Sequence, residues 1–438
     1  MPPLHTARMS GAAVFCQVFL PYALGHFLST LLRNVNAVLA PQLAQAASLS
    51  PGELGLLTSA FFCAFALAQL PVGIALDRFG PRRVQAALLL LAALACVLFA
   101  QAGTLAGMAA ARFLLGLGLG GCFMAAVKAM AAWAPPARMP SISGYLIAAG
   151  GLGSAAATLP VRSALEHTDW RGVFLGLGLI VAMAALVVWA VAPRDAGRAA
   201  AGPRVALADV YRDPAFRRTA SLVLVPHTVF FGVQGLWIGR WLSDAGRMPE
   251  GTVAYLLYLS MAAVIFGAIA VGMITEWAAK RGIAPLEVAA AGVALFIGVQ
   301  VAIAVTPGIG FSQLAVLFTL VGTITGIEYS IVAQSMPATL TGRASTCLNL
   351  LIFVGAFLVQ LGFGLVVDCW DSDATGRYPA VAYQVAFAAC IALQLPGLAL
   401  YAWRRYLQPS STSSGSEVQA MPASASTALP ASAQSSSP

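Results

Sequence analysis

Five polar side chains, Tyr22, His26, Ser29, Arg33 and Asn36, recur at intervals of four, three, four and three along an otherwise apolar segment. That spacing puts all five on one face of a helix. An ionised arginine within an apolar helix is costly unless it faces a protein interior or a water-filled cavity, so Arg33 marks this face as the lining of a pathway. Its planar fork of donors suits a carboxylate as well as a phosphate. The competing reading is an arginine held structurally by a distant carboxylate.

A second face carries His227, Phe230, Gln234, Trp237 and Trp241, again three or four residues apart, and is aromatic rather than cationic. Arg240 sits off this stripe and fits an interfacial anchor. A third face carries Asn349, Phe353 and Gln360. Glu328 is the one acidic residue clearly central to an apolar run. A carboxylate in a partly desolvated position can exchange a proton during a transport cycle. It can equally serve as a fixed counter-ion to Arg33, Arg112 or Lys128.

These faces need long apolar helices to hold them. Of 438 residues, 59% are hydrophobic and 9% charged, against about a quarter charged in soluble domains. A bilayer core takes about 20 apolar residues per helix, and the chain divides into twelve such spans. The first centres on Phe19 to Leu39, the fourth on Leu105 to Trp133, the seventh on Leu222 to Leu242, the tenth on Leu314 to Met336 and the eleventh on Leu348 to Val367. The expected fold is an all-α polytopic membrane protein of twelve transmembrane helices in two pseudo-symmetric six-helix bundles. The first span is too long and polar-interrupted for a cleaved leader and reads as a retained helix.

The hydrophobic pattern lapses between Pro193 and Arg218 and again after residue 407. This predicts an N-terminal bundle over 11–192, a cytoplasmic linker over 193–218, a C-terminal bundle over 219–407 and a disordered cytoplasmic tail over 408–438, rich in Ser, Ala and Pro. Arg78, Arg82, Arg83, Arg138, Arg212, Arg217, Arg218, Lys280, Arg281, Arg404 and Arg405 fall on one side of this topology. Arg162, Arg171, Arg247 and Arg377 fall on the other. The positive-inside rule then puts both termini in the cytoplasm, and the net charge of +8 needs no nucleic-acid partner. The seven cysteines lie scattered in apolar sequence without paired spacing, which suggests neither a disulfide framework nor a metal site. No cofactor is expected.

Pro21 and Pro226, Arg138 and Arg343, and Gly150 and Gly355 are each 205 positions apart. Such a shared offset supports parallel six-helix repeats, with a solute site between the halves near the bilayer midplane. Between the second and third spans stands Gly73-Ile74-Ala75-Leu76-Asp77-Arg78-Phe79-Gly80-Pro81-Arg82-Arg83, echoed after the eighth span by Gly272 to Glu276 and Lys280-Arg281-Gly282.

Gly73, Asp77, Arg78, Gly80 and Arg83 resemble the loop motif of the Major Facilitator Superfamily. Arg112 before Gly116, Gly118 and Gly120 is similar to that family's fourth-helix pattern. The resemblance implies a conformational latch at Gly73, Asp77, Arg78, Gly80 and Arg83, with Glu276 as its echo. Asp77 would accept hydrogen bonds from a neighbouring helix N-terminus or an arginine in one transport state. It also implies proton handling or a structural hub at Arg112, with Lys128 further along the same helix as a second coupling candidate or a snorkelling cation.

Arg33-Asn34 resembles the first helix of organic-anion carriers within the superfamily. Ile238 stands at the repeat position of Arg33, so the paired-arginine clamp of the phosphate antiporters is not reproduced. Substrate contacts are therefore expected from Tyr22, His26, Ser29, Arg33, Asn36, His227, Gln234, Trp237, Asn349 and Gln360.

The function so implied is secondary active transport of a small anionic organic solute by alternating access, with a proton or counter-anion as the coupled species. The bilayer is its surroundings and the monomer is the family's usual state. A drug:proton antiporter is disfavoured because Ala149-Gly150-Gly151-Leu152-Gly153 lacks the Gly-Pro pair of that branch. A transporter-like sensor would use the same cavity without flux. An enzyme would need a catalytic constellation, and neither a nucleophile elbow nor a carboxylate pair is present. No phosphate loop for ATP occurs.

Overall fold

Twelve helices long and apolar enough to cross a membrane make up the computed structural model, which describes residues 10–133, 139–193, 207–305, 310–335 and 338–407. They are α1 (Gly11–Asn34), α2 (Pro51–Leu76), α3 (Pro81–Gln101), α4 (Leu105–Trp133), α5 (Gly144–Ala164), α6 (Trp170–Val191), α7 (Pro214–Asp244), α8 (Glu250–Ala279), α9 (Pro285–Val305), α10 (Phe311–Val332), α11 (Thr346–Val367) and α12 (Ala380–Tyr406). No strand occurs among the described residues. The tail beyond residue 407 and Arg138 lie outside the described residues, as do the side chains of Asp77 and Arg343. A short helix, Leu207–Arg212, falls within the segment between the sixes.

The chain reverses where its residues demand it. Gly80 stands at φ +80°, between the helix that continues α2 to Phe79 and the start of α3. L side chains avoid that backbone region, so the turn requires glycine there. At the opposite end Ser50 and Glu53 form a reciprocal capping box that starts α2. We call the end carrying Gly80 the basic end and the other the far end. In the far-end loop before α12 the Asp373 carboxylate accepts hydrogen bonds from the Thr375 side chain and from the backbone of Arg377 and Thr375, which hold it down to about 2.

Each half has its own apolar core. Phe61, Phe99, Phe174, Leu89 and Leu115 belong to that of the first, and Trp237, Phe296, Phe318 and Phe387 to that of the second. Glycines set the helix approach. A methyl at Gly116 would sit 2.3 Å from the Phe61 carbonyl oxygen and one at Gly118 2.7 Å from Ala92 N, so α4 wedges between α2 and α3. Gly153 does the same for α5 against α1, with the Phe27 carbonyl at 2.1 Å.

The halves meet along α2 with α11 and α5 with α8. At the far end Ser50 Oγ donates to Asp368 at 3.0 Å, and Arg162 pairs with Glu250 at 2.5 Å. Gly55 and Gly364 bring α2 and α11 together around the Trp237 ring. At mid-depth Phe353 of α11 packs against Phe65 at 4.3 Å and Phe62 at 5.9 Å between ring centres. Towards the basic end, Gly73, Gly144 and Gly272 meet nothing within 4 Å of a would-be Cβ.

Among the helices that depart from regular α geometry, three bear on the site. The first helix breaks at Val35 and resumes as Asn36–Ala47, so Phe19 to Leu39 is not one continuous helix and its start lies earlier, at Gly11. α7 carries a π turn at Val233–Trp237, and α10 a 3₁₀ turn at Thr323–Gly326 directly before Glu328. Such turns inside helices occur at functional hinges.

Candidate functional site

Arg33 reaches across from the first half to the second. Its guanidinium carbon lies 5.3 Å from the centre of the Phe231 ring on α7. The residue is half-buried, and among the described residues its donors meet no acceptor and no carboxylate. A cation over an aromatic face gains about 0.5–2 kcal/mol, which orients the fork without consuming its hydrogen bonds. Phe231 in turn packs on His227 at 5.0 Å and on Phe353 at 5.9 Å.

Arg112 fixes the helix break beside this group. It is fully buried on α4, donates to the Leu32 carbonyl at 3.0 Å and lies 5.2 Å from the Phe61 ring centre. A side chain inserted at a broken helical turn is a recognised cause of a kink. Nε and one terminal nitrogen of Arg112 have no partner. Lys128, further along α4, is half-buried.

In the second half Glu328, with 0% exposure, stands against His227 at 2.5 Å between Oε1 and Nδ1. The two atoms touch without the alignment of a hydrogen bond, and both Glu328 oxygens lack a hydrogen-bond partner. Next along α10, the Tyr329 hydroxyl donates to the Asn349 side chain on α11. The Tyr329 ring meets His227 edge-on at 6.0 Å. Arg33, Phe231, His227, Glu328, Tyr329 and Asn349 thus form one cluster at mid-depth.

The other residues of the first-helix face turn elsewhere. Tyr22 is buried in the first-half core. Ser29 donates to the Leu119 carbonyl of α4 at 3.2 Å. Asn36, beyond the break, donates to Thr58 on α2 at 3.2 Å. His26 lies beside Phe123 at 5.1 Å and against Gly150, and its Nδ1 is buried without a partner. On α7, Gln234 accepts from Thr319 at 2.7 Å, and Trp237 donates to the Gln360 carbonyl at 3.0 Å while stacking on Phe363. Gln360 itself donates to the Gly232 carbonyl at 3.2 Å. Arg240, off the stripe, is buried and pairs with Asp244 one helical turn away at 3.0 Å, and Asp244 also accepts from Tyr383 at 2.6 Å.

At the latch segment, Arg78 lies on Phe79 and Arg83 is exposed. Arg82 donates to the Trp189 carbonyl and stacks on its ring at 4.7 Å, joining the start of α3 to the end of α6. Glu276 pairs with Lys280 on its own helix at 2.9 Å. Phe231 and Tyr329 lie off the polar stripes, next in sequence to Phe230 and Glu328. The signal for Phe231 was the 205-residue repeat, which pairs it with His26.

A model of the Major Facilitator Superfamily matches residues 22–360. The chain belongs to that superfamily. Among superfamily structures it is similar to a bacterial homologue of the human lysosomal transporter Spinster in an inward-facing, unoccupied conformation, at 17% identity and a TM-score of 0.76 over 93% of this chain and 100% of the other. It is also similar to the nucleoside transporter NupG, at 13% identity and a TM-score of 0.68 over 88% and 99%. At these identities the likeness concerns the fold alone.

Among curated relatives, the probable sulfoacetate transporter of Cupriavidus necator is 32% identical over 155 residues, 35% of this chain and 36% of its own length. The hexuronate transporter of Escherichia coli is 30% identical over 175 residues, 39% and 40%. The niacin transporter of Acinetobacter baylyi is 33% identical over 156 residues, 36% and 36%. The matched region spans little more than a third of each relative.

Proposed function

We propose that this integral, multi-pass member of the superfamily is a secondary transporter that moves a small organic anion by alternating access, with Arg33 as its anion-binding cation. The single observation carrying this reading is the Arg33 guanidinium, which lies between the halves at mid-depth with its donors unspent. A permanently charged group in that position is costly unless a ligand of opposite charge or water meets it. Sulfoacetate, hexuronate and niacin, named for the relatives, are all anions at neutral pH. The basic end is read as cytoplasmic with both termini on that side. The far-end contacts Ser50–Asp368 and Arg162–Glu250 between the halves then fit an inward-facing state.

Purified protein in liposomes should take up at least one of labelled sulfoacetate, glucuronate and nicotinate. Arg33→Ala should cut kcat/KM for that anion by about 10- to 100-fold, the loss of a charge-assisted contact. Arg33→Lys should retain part of it, since an ammonium keeps the charge but not the fork. Uptake unchanged by Arg33→Ala would remove the arginine from the site, and absence of uptake for every anion would remove the substrate class.

A further inference from the structure

We propose that the anion carried on Arg33 is a planar aromatic monocarboxylate, its ring laid against Phe231 and the facing side of α11. This rests on the anion reading above and names the substrate class. Two features of the cluster carry it: the neutral polar groups around the arginine are bound to the protein itself, and the surface left to a solute is apolar and aromatic.

Along the first helix Ser29 donates to the Leu119 carbonyl, Thr30 to the Gly150 carbonyl at 2.8 Å, Asn34 to Ser154 at 2.9 Å and Asn36 to Thr58. In the second half Gln234 accepts from Thr319, and Gln360 donates to the Gly232 carbonyl. The amide atoms left over, Asn36 Oδ1, Gln234 Nε2 and Gln360 Oε1, are enclosed, as are His26 Nδ1 and both Glu328 oxygens. They present no surface to a solute. Among the described residues of the cluster this leaves Arg33 and the hydrogen-bonded Tyr329–Asn349 pair, all three half-buried. A sugar acid, with a hydroxyl on almost every carbon, would lose water from groups that find no partner here.

The apolar surface is of the opposite character. Leu350, Phe353 and Phe357 stand three and four residues apart on one face of α11. Leu350 and Phe357 are half-buried against the first-half core, and so is Phe231 of α7. Phe353 meets Phe231 edge-on, at 5.9 Å between ring centres. Edge-to-face and offset contacts of this kind are those that a further ring joins favourably. With the Arg33 guanidinium carbon 5.3 Å from the centre of the Phe231 ring, a carboxylate held on its fork sets whatever is bonded to it beside that ring. A ring bonded directly to the carboxylate continues the plane of the fork.

One carboxylate is what the site can hold. The unpartnered nitrogens of Arg112 are enclosed, and Lys128 stands about four helical turns further along α4. A second negative charge on the solute would therefore meet no second cation at the level of Arg33.

The test uses full-length protein in liposomes and measures uptake of labelled benzoate, nicotinate, cyclohexanecarboxylate, glucuronate and sulfoacetate. Benzoate or nicotinate should exceed both glucuronate and sulfoacetate in kcat/KM by at least about 10-fold. Benzoate should exceed cyclohexanecarboxylate, which has the bulk of the ring without its π face, by about two- to tenfold. Phe231→Leu should bring that last ratio close to one, and Phe231→Tyr should preserve it. A Phe231→Leu protein that loses uptake of both acids alike, with the ratio unchanged, would make Phe231 a structural group and overturn the stacking. Cyclohexanecarboxylate carried by wild type as well as benzoate would overturn the role of the ring. Arg33-dependent uptake of glucuronate or sulfoacetate equal to or above that of the aromatic acids would overturn the class and leave the anion reading standing. Uptake of none of the five overturns the anion reading, and the aromatic class with it.

Discussion

Gln300 of α9 and Gln394 of α12 exchange two side-chain hydrogen bonds, of 3.2 and 2.8 Å, while both are essentially unexposed. Each amide satisfies the other in a place where water cannot. Gln394→Leu leaves one amide buried and half-satisfied, at a cost of about 1–3 kcal/mol. The paired change Gln300→Leu with Gln394→Leu should recover most of that loss, which thermal unfolding in detergent would measure. Equal destabilisation by the single and double variants would mean that the pair contributes shape rather than hydrogen bonding. A side chain declares itself in the sequence where its cost is intrinsic to it. Arg33 and Glu328 stood out because charge in an apolar run needs a reason. Their partners were not legible, because Phe231 and His227 reach them only through the packing of α7 against its neighbours.

Helix approach is controlled by atoms that are missing. Gly153→Ala would press a methyl to 2.1 Å from the Phe27 carbonyl oxygen, a backbone atom that cannot swing aside. A loss of about 1–3 kcal/mol follows from such overpacking, read as a lowered midpoint of thermal unfolding. Gly298→Ala, where nothing lies within 4 Å, serves as the control and should leave that midpoint in place. A Gly153→Ala protein as stable as the control would show that α1 and α5 part more easily than their contacts suggest. The helices themselves follow from run length and turn residues, as at Gly80. The break at Val35, the π turn of α7 and the 3₁₀ turn of α10 do not, since no proline or glycine pair announces all three. Arg112 donating to the Leu32 carbonyl accounts for the first.

The alternating access proposed above requires the far-end contacts between halves to separate once per cycle. Exposed ion pairs such as Arg162–Glu250 contribute only about 0–1 kcal/mol each, so the far end is held closed chiefly by packing of α2 on α11 around Trp237. A covalent bridge there should stop transport. With the seven native cysteines replaced, Ser50→Cys and Asp368→Cys should form a disulfide across a contact now 3.0 Å long. Uptake should vanish on oxidation and return on reduction. Full-rate uptake by the oxidised protein would show that these halves do not separate at this end.

Apolar run lengths, the residues of turns, the distribution of Lys and Arg and the loop motif are properties of short stretches of chain. They determined the twelve helices, the superfamily and the presence of an awkward cation and carboxylate. Which polar residues converge depends instead on the rotation and depth of helices far apart in sequence, which only packing sets. Ser29 and Arg33 are one turn apart on a helix, yet one hydroxyl is spent on Leu119 and the other residue crosses to Phe231. Glu328 met His227 of the same half rather than Arg33, Arg112 or Lys128 of the other, because the close packing of α7 on α10 brings those two side chains to contact distance.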